Sequence, residues 1–469
     1  MKRVICLLLC ALVLLSCFSA CETEPEEEPS GPVTLTVVTE EVEGPFGLSD
    51  HFTNALYSAL GYFRMNHKEI KIDLEILPTA KNERKIRLQK LRTDLMAGEG
   101  PDIFLLPSGM IRGERGLREP LFANVEMAMR NLYFADLSDY YDADEELKTE
   151  ELQQDIMNAG VLDGARYVLP LGFNMPVICY DQTKLDDAGL TEEDLHAPLG
   201  ELLDTALKSG NLYTERFAAL FPAPTLCLFQ PIFDFDTERL LLDRETLYAI
   251  SEQKRQLKAE GAGSDWPSGH TFDLLGYLMT PGARYILQAK GVAFHFDGLA
   301  NAAGDLGMGK TNGVDVKVTP MRTVGGEVAA EVTYFGAVNA NCEHPAQAYE
   351  FLRTFLSAGV QHQTGLGAAS TRLVFSDTAW PVRVAGSVET KWSAQKAANT
   401  FAESDKKLRA ALGETHLSDD DLPLLFEKID VVQFRLPILQ NDENGVWVER
   451  TAEGLDEVLE QLKYHIAEG

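Results

Sequence analysis

The stretch Met96-Ala97-Gly98-Glu99-Gly100-Pro101-Asp102-Ile103-Phe104-Leu105-Leu106 constrains this chain more than any other. Leu88, Leu91, Leu95 and Met96 fall on one face at helical spacing, so the glycines mark a helix end. Pro101 cannot continue that helix, because its ring fixes φ and removes a backbone donor. Ile103 to Leu106 then has the short apolar run of a buried parallel strand. A polar loop, Pro107-Ser108-Gly109, follows. In an open α/β sheet, the loop leaving the carboxyl end of a strand is where small ligands bind.

Upstream, the alternation of Val33, Leu35 and Val37 predicts a first strand. Asp50 stands at the cap position of a helix with Leu56, Ala59, Leu60 and Phe63 as its apolar stripe. Ile70 to Ile76 alternates strictly, giving a second strand, and Asn82 to Met96 a second helix. This βαβαβ order defines a doubly wound half-domain.

A helix ending in Met-Ala-Gly-x-Gly-Pro-Asp-Ile-Phe resembles the signature of the family 1 extracellular solute-binding proteins of bacterial ABC importers. Two further segments are collinear with that family. Gly164 to Tyr180, GARYVLPLGFNMPVICY, is similar to the crossing from the first lobe to the second. Ala348 to Leu356, AYEFLRTFL, resembles the helix after the return crossing. The resemblance runs over residues 33 to 400. It implies an α/β, two-lobed, periplasmic-binding-protein-like fold of type II, each lobe a doubly wound sheet flanked by helices, with hinge crossovers. The corresponding division is a first lobe of residues 33–170 plus 320–358 and a second of 171–319 plus 359–469.

Met1-Lys2-Arg3 opens a nearly continuous apolar run to Ala20, too short for a comfortable membrane span, so residues 1–20 read as a secretory signal peptide. Phe18-Ser19-Ala20-Cys21 resembles a lipobox, whose cysteine is acylated. Cys17 is a competing site, and Cys21 is favoured by the small residues before it. An ordinary cleaved leader is the alternative. Residues 21–32, rich in acid and proline, bury no apolar surface and form a tether. Cys179, Cys227 and Cys342 are odd in number and widely spaced, so they are expected as small buried hydrophobes rather than a disulfide framework.

The remainder, roughly 430 residues, suits two domains of about 100 to 200 residues better than one. A formal net charge of -30 argues against nucleic acid and against adsorption to anionic lipid. Beyond the first half-domain, helices are expected over Leu121 to Leu137, Glu145 to Ala159, Thr191 to Ser209, Arg244 to Ala259, Pro345 to Leu356 and Thr451 to Ile466. Strands are expected at Val292 to Phe296 and Val314 to Thr319.

Gly304 to Thr311, GDLGMGKT, matches the phosphate-loop pattern letter for letter. That loop works only between a strand and a following helix, and here a helix-like segment precedes it and an alternating strand follows. Nucleotide chemistry is therefore not expected. The nine histidines include no pair spaced to share a metal on one helix face, and no Gly-x-Ser-x-Gly elbow is present. No catalytic group, metal or cofactor is assigned.

Candidate ligand residues follow from topology and family position. Ser108 and Gly109 leave the strand of the opening stretch; a loop shaped only by its turn is their alternative. Asn174 lies at the lobe crossing, where maltose-binding members of the family place a ligand-contacting carboxylate; a hinge asparagine bonding its own backbone is its alternative. Phe229 and Gln230 follow Pro222 and Pro224, where the family supplies an aromatic platform, and Asp297 ends a strand. Sugar-binding relatives often continue from there with tryptophan, whereas this chain has Leu299-Ala300. Trp380 is a candidate replacement. The resemblance implies a monomer, lipid-anchored on the outer face of the bacterial cell membrane, that hands a solute to an ABC permease. The expected ligand is a neutral oligosaccharide. A surface lipoprotein that senses or presents ligand without transport is the second reading, and a lipid-anchored hydrolase the third.

Overall fold

The computed structural model describes residues 33–41, 51–109, 111–113, 116–147, 149–187, 189–209, 233–234, 237, 239–241, 243–245, 248, 294–298, 316–361, 380–383, 429–434 and 460. Expectations for the leader, the tether, Phe229, Gln230 and the Gly304 to Thr311 motif lie outside these residues. So do nearly all of the Arg244 to Ala259 and Thr451 to Ile466 segments.

Strand β1 (Val33–Thr39) runs parallel to β2 (Ile70–Ile76) along its whole length and to β3 (Ile103–Pro107) over its second half. The helix His51–Asn66 between β1 and β2 buries Leu56, Ala59, Leu60 and Phe63. The helix Lys81–Met96 before β3 buries Arg84, Leu88, Leu91 and Leu95. Positive φ at Gly98 (+77°) and Gly100 (+116°) turns the chain where a side chain would be strained. Asp102 then locks β3 onto β1, its carboxylate accepting from the Thr36 N–H at 2.8 Å and the Thr36 hydroxyl at 2.7 Å.

A hairpin of β4 (Ile111–Gly113) and β5 (Gly116–Arg118) follows β3 directly. The two long helices expected next are broken into short ones. Val125–Arg130, capped by Asn124, stops where Leu132 takes φ +55° and Phe134 bridges to Asn339; Ser138–Asp142 follows. Glu145 to Ala159 yields a 3-10 turn at Thr149–Glu151 and the helix Gln154–Asn158. Apolar residues in these stretches meet the core by bending the chain around it, which periodicity over a window does not distinguish from one helix.

The hairpin β6 (Val161–Leu162) and β7 (Ala165–Arg166) leads into β8 (Val168–Asn174), buried along its entire length. One residue, Met175, separates β8 from β9 (Pro176–Asp181). Helices Gln182–Asp187, Glu192–Leu195 and Leu199–Ser209 come next, the last two divided before Pro198 where one helix was expected. β10 (Phe233–Asp234) and β11 (Arg239–Leu240) pair with each other. β12 (Phe294–Gly298) and β13 (Val316–Pro320) flank β9, both antiparallel, in a three-stranded sheet. β14 (Ala329–Val338) is buried throughout and returns to the first sheet, followed by the helix Pro345–Arg353, a 3-10 turn at Thr354–Leu356 and the helix Ala358–Gln361.

Among the described residues the first sheet has seven strands, ordered β15-β8-β14-β3-β1-β2 with β16 also on β14, where β15 is Trp380–Pro381 and β16 is Val431–Phe434. β8 stays in the first sheet through Asn174, and the chain passes to the three-stranded sheet at Met175. β15 and β16 pair with β8 and β14. The reason is that open edges of a buried ladder must be paired, and chain from far along the sequence supplies the partners. Phe104, Phe122, Phe134 and Phe335 pack edge to face or tilted, with Phe104 and Phe122 centroids 5.2 Å apart and Phe434 of β16 6.0 Å from Phe335.

Candidate functional site

Because β1, β2 and β3 are parallel and β14 is antiparallel to β3, one edge of the first sheet collects the ends of β1 and β3 and the start of β14. β8 is antiparallel to β14, so its last residue, Asn174, lies opposite Glu331 at the same edge. The chain changes sheet there, at Met175 and again between β13 and β14. That is the arrangement in which open α/β sheets hold small ligands.

Ser108 is buried at this edge. Its N–H donates to the Thr333 carbonyl at 2.8 Å, and its hydroxyl donates to the Val332 carbonyl. The hydroxyl proton is thus committed to backbone, and the oxygen lone pairs are what Ser108 has left to offer. Gly109 follows at φ +77°. Asn174 is 4% exposed, and its Oδ1 accepts from the Met175 N–H at 2.9 Å, holding the crossing residue.

Trp380 pairs with Phe173, one residue before Asn174. Asp297 pairs with Val177, two residues beyond Met175. Backbone register therefore gathers Asn174, Trp380 and Asp297 around a single crossing, although they are far apart in sequence.

A charged cluster at the same edge was not among the expected site residues. Glu40, the residue after β1, is 1% exposed, and Arg84 is 3% exposed. Arg84 holds both carboxylate oxygens of Glu40, with Nη1 3.0 Å from one of them, and uses Nε on the Glu119 carbonyl at 2.7 Å. Burial holds the Glu40 carboxyl above the ordinary carboxylate range, against the opposing pull of the Arg84 hydrogen bonds and of the Arg84 and Arg118 charges. Arg118, at the end of β5, reaches the Glu41 carbonyl with Nη2 at 2.9 Å. One signal for this cluster was present: Arg84 stands four residues before Leu88 on the buried stripe, where an apolar residue belongs.

At the opposite end of the sheet, a cavity of about 400 Å³ is lined by Leu95, Gly98, Asn131, Tyr133, Asn339 and Asn341 among others. Beside it, burial foremost and then the charge of Asp102 push the half-buried Cys342 thiol up to about 12, so it is no thiolate at neutral pH. Among the described residues, no group of three or more His, Cys, Asp or Glu side chains is placed to hold a metal ion. Nor is any helix among them long and apolar enough to cross a membrane.

No family model and no curated protein matches the chain. Solved structures do. The extracellular solute-binding protein family 1 from Alicyclobacillus acidocaldarius subsp. acidocaldarius DSM 446 superposes with a TM-score of 0.51 at 14% identity, covering 93% of this chain and 99% of that one. The cyclic alpha-maltosyl-1,6-maltose binding protein of Arthrobacter globiformis matches with a TM-score of 0.47 at 15% identity, covering 94% and 100%. An ABC transporter solute-binding protein of Agrobacterium radiobacter K84, in complex with ribitol, matches at 0.47 and 15%, covering 93% and 100%. The chain has the two-lobed, type II periplasmic-binding-protein-like fold of the family 1 extracellular solute-binding proteins. At these identities the likeness establishes the fold alone.

Proposed function

We propose that the protein is an exported, lipid-anchored binding protein that captures a carbohydrate between its lobes and delivers it to an ABC permease. The observation that carries this reading is the single edge where both chain crossings, Ser108, Gly109 and Asn174 converge. Trp380 and Asp297 join them by register, and the leader and lipobox-like segment ending at Cys21 support export and anchoring. In this reading Ser108, Gly109, Asn174, Asp297 and Trp380 contact ligand, with Phe229 and Gln230 supplied by the second lobe. That lobe is centred on β9, β12 and β13, and the first also takes in β15 and β16. Carbohydrate is favoured over amino acid or polyamine by the resemblance in the three collinear segments and by the hydrogen-bonding character of Ser108 and Asn174.

A thermal-shift screen of the mature protein against oligosaccharides, monosaccharides, amino acids, peptides and polyamines tests the ligand class. Stabilisation by sugars is the expected result, and stabilisation by a polyamine or peptide alone would remove the carbohydrate assignment. Cys21→Ala should abolish lipid labelling in cells; labelling that persists in this variant and is lost in Cys17→Ala would move the anchor.

A further inference from the structure

We propose that Arg118 is a ligand-binding residue, and that the solute carries an anionic group, a sugar carboxylate or sugar phosphate, that this guanidinium neutralises. The inference rests on the solute-binding reading above and narrows its ligand to acidic sugars, away from the neutral oligosaccharide expected from Ser108 and Asn174.

Arg118 is 7% exposed, yet its Nε and Nη1 have no hydrogen-bond partner among the described residues. Its Nη2 donates to a neutral acceptor, the Glu41 carbonyl. The adjacent buried carboxylate does not balance it, because Arg84 holds both oxygens of Glu40. Glu119, next in sequence to Arg118, gives its carboxylate to Arg92 at 2.9 Å and its carbonyl to Arg84. Among the described residues, two guanidinium groups thus share the Glu40 carboxylate, and Arg118 keeps three N–H donors, on Nε and Nη1, without an acceptor. Charges are kept buried only where they are paired, since removal from water costs several kcal/mol per ion.

The position of Arg118 indicates what completes it. The β4–β5 hairpin leaves the carboxyl end of β3, and Arg118 is fastened to the residue two beyond the end of β1. It therefore stands at the ligand-holding edge, with Ser108. Two hydroxyls of the same edge, Thr39 Oγ1 and Thr333 Oγ1, are also buried without a partner among the described residues. Polar atoms from outside the chain would complete all three. The acidic surface does not oppose this, because charges farther than a Debye length of about 8 Å are largely screened in water, whereas a buried guanidinium acts at contact.

The test is calorimetry on the mature protein with matched probes: glucose, glucuronate and glucose 6-phosphate, then trigalacturonate beside galactotriose. An acidic member is expected to bind roughly 10- to 150-fold more tightly than its neutral partner, the range of a charge-assisted hydrogen bond. Preference for uronates assigns the carboxylate, and preference for glucose 6-phosphate alone assigns the phosphate. Arg118→Gln should erase the preference while the circular dichroism spectrum stays unchanged, and Arg118→Lys should keep part of it. Should Arg118→Gln fail to fold, the wild-type pairs and Arg118→Lys decide. Equal binding of neutral and acidic members, or a preference that survives Arg118→Gln in a folded protein, overturns the inference and leaves carbohydrate binding standing. If no sugar of either kind binds, the carbohydrate reading falls and this inference with it.

Discussion

Arg84 commits its guanidinium to Glu40, the Glu119 carbonyl and the Pro78 carbonyl, and so ties the helix Lys81–Met96 to the end of β1 and to the segment after the β4–β5 hairpin. Removing one partner of a buried pair leaves the other charge without compensation, which costs about 3–5 kcal/mol. Arg84→Met should lower unfolding stability by that amount in denaturant titrations near pH 7. The sign of the pH dependence follows from Glu40. A carboxyl whose folded pKa is raised contributes stability that is present below its unfolded pKa and is lost as pH rises through the folded one. Without Arg84 the folded pKa rises further, so the deficit of Arg84→Met should shrink as pH falls through the carboxylate range. A deficit that stays constant between pH 7 and pH 4 would show that lost packing, not the stranded carboxylate, dominates.

Elements here are held by close backbone approach as much as by side chains. Gly160, just before β6, packs against the carbonyl of Val168 at the start of β8; a Cβ on residue 160 would overlap that oxygen, which is backbone and has no rotamer to yield. Its own carbonyl accepts from the N–H groups of Tyr167 and Val168 at 2.9 and 3.2 Å. Gly160→Ala should therefore cost about 1–3 kcal/mol, the usual range for overpacking, and displace the start of β8. Gly164→Ala, where a Cβ meets nothing within 4 Å but φ is +86°, should cost only the smaller penalty of a strained turn. Denaturant midpoints of the two variants measured side by side check this order. Equal losses would mean that the close contact relaxes freely.

Among the described residues, the seven-stranded and three-stranded sheets are joined by the single residue Met175 and by residues 321–328 between β13 and β14. Such narrow connections let two bodies rotate, and a ligand touching both binds the closed arrangement better and shifts the population toward it by that difference. Small-angle scattering of the mature protein should show the radius of gyration falling when a stabilising sugar is added. Binding with no change in that radius would exclude closure as the mechanism. Asn174→Ala removes the side-chain acceptor that holds the Met175 N–H, so it should alter the extent of closure as well as affinity.

What this chain declares in sequence is local. The helix end at Gly98 and Gly100, the run Ile103 to Leu106 and the alternation at Val33 and Ile70 all appear where the pattern puts them, because periodicity and glycine–proline chemistry act over a few residues. Ser108 and Gly109 were nameable from sequence as candidates because they border such an element, and Asn174 through the resemblance at the lobe crossing. Trp380 could be named, but its pairing with Phe173 could not, and neither could the entry of Val431 to Phe434 beside β14. Strands of two and four residues carry almost no periodic signal and exist only because a buried edge needs its hydrogen bonds filled. The Glu40, Arg84 and Arg118 cluster belongs to the tertiary structure for the same reason. A charge in sequence is presumed solvated until folding shows which water it has lost, and only the packed edge leaves Arg118 buried with Nε and Nη1 unpartnered among the described residues.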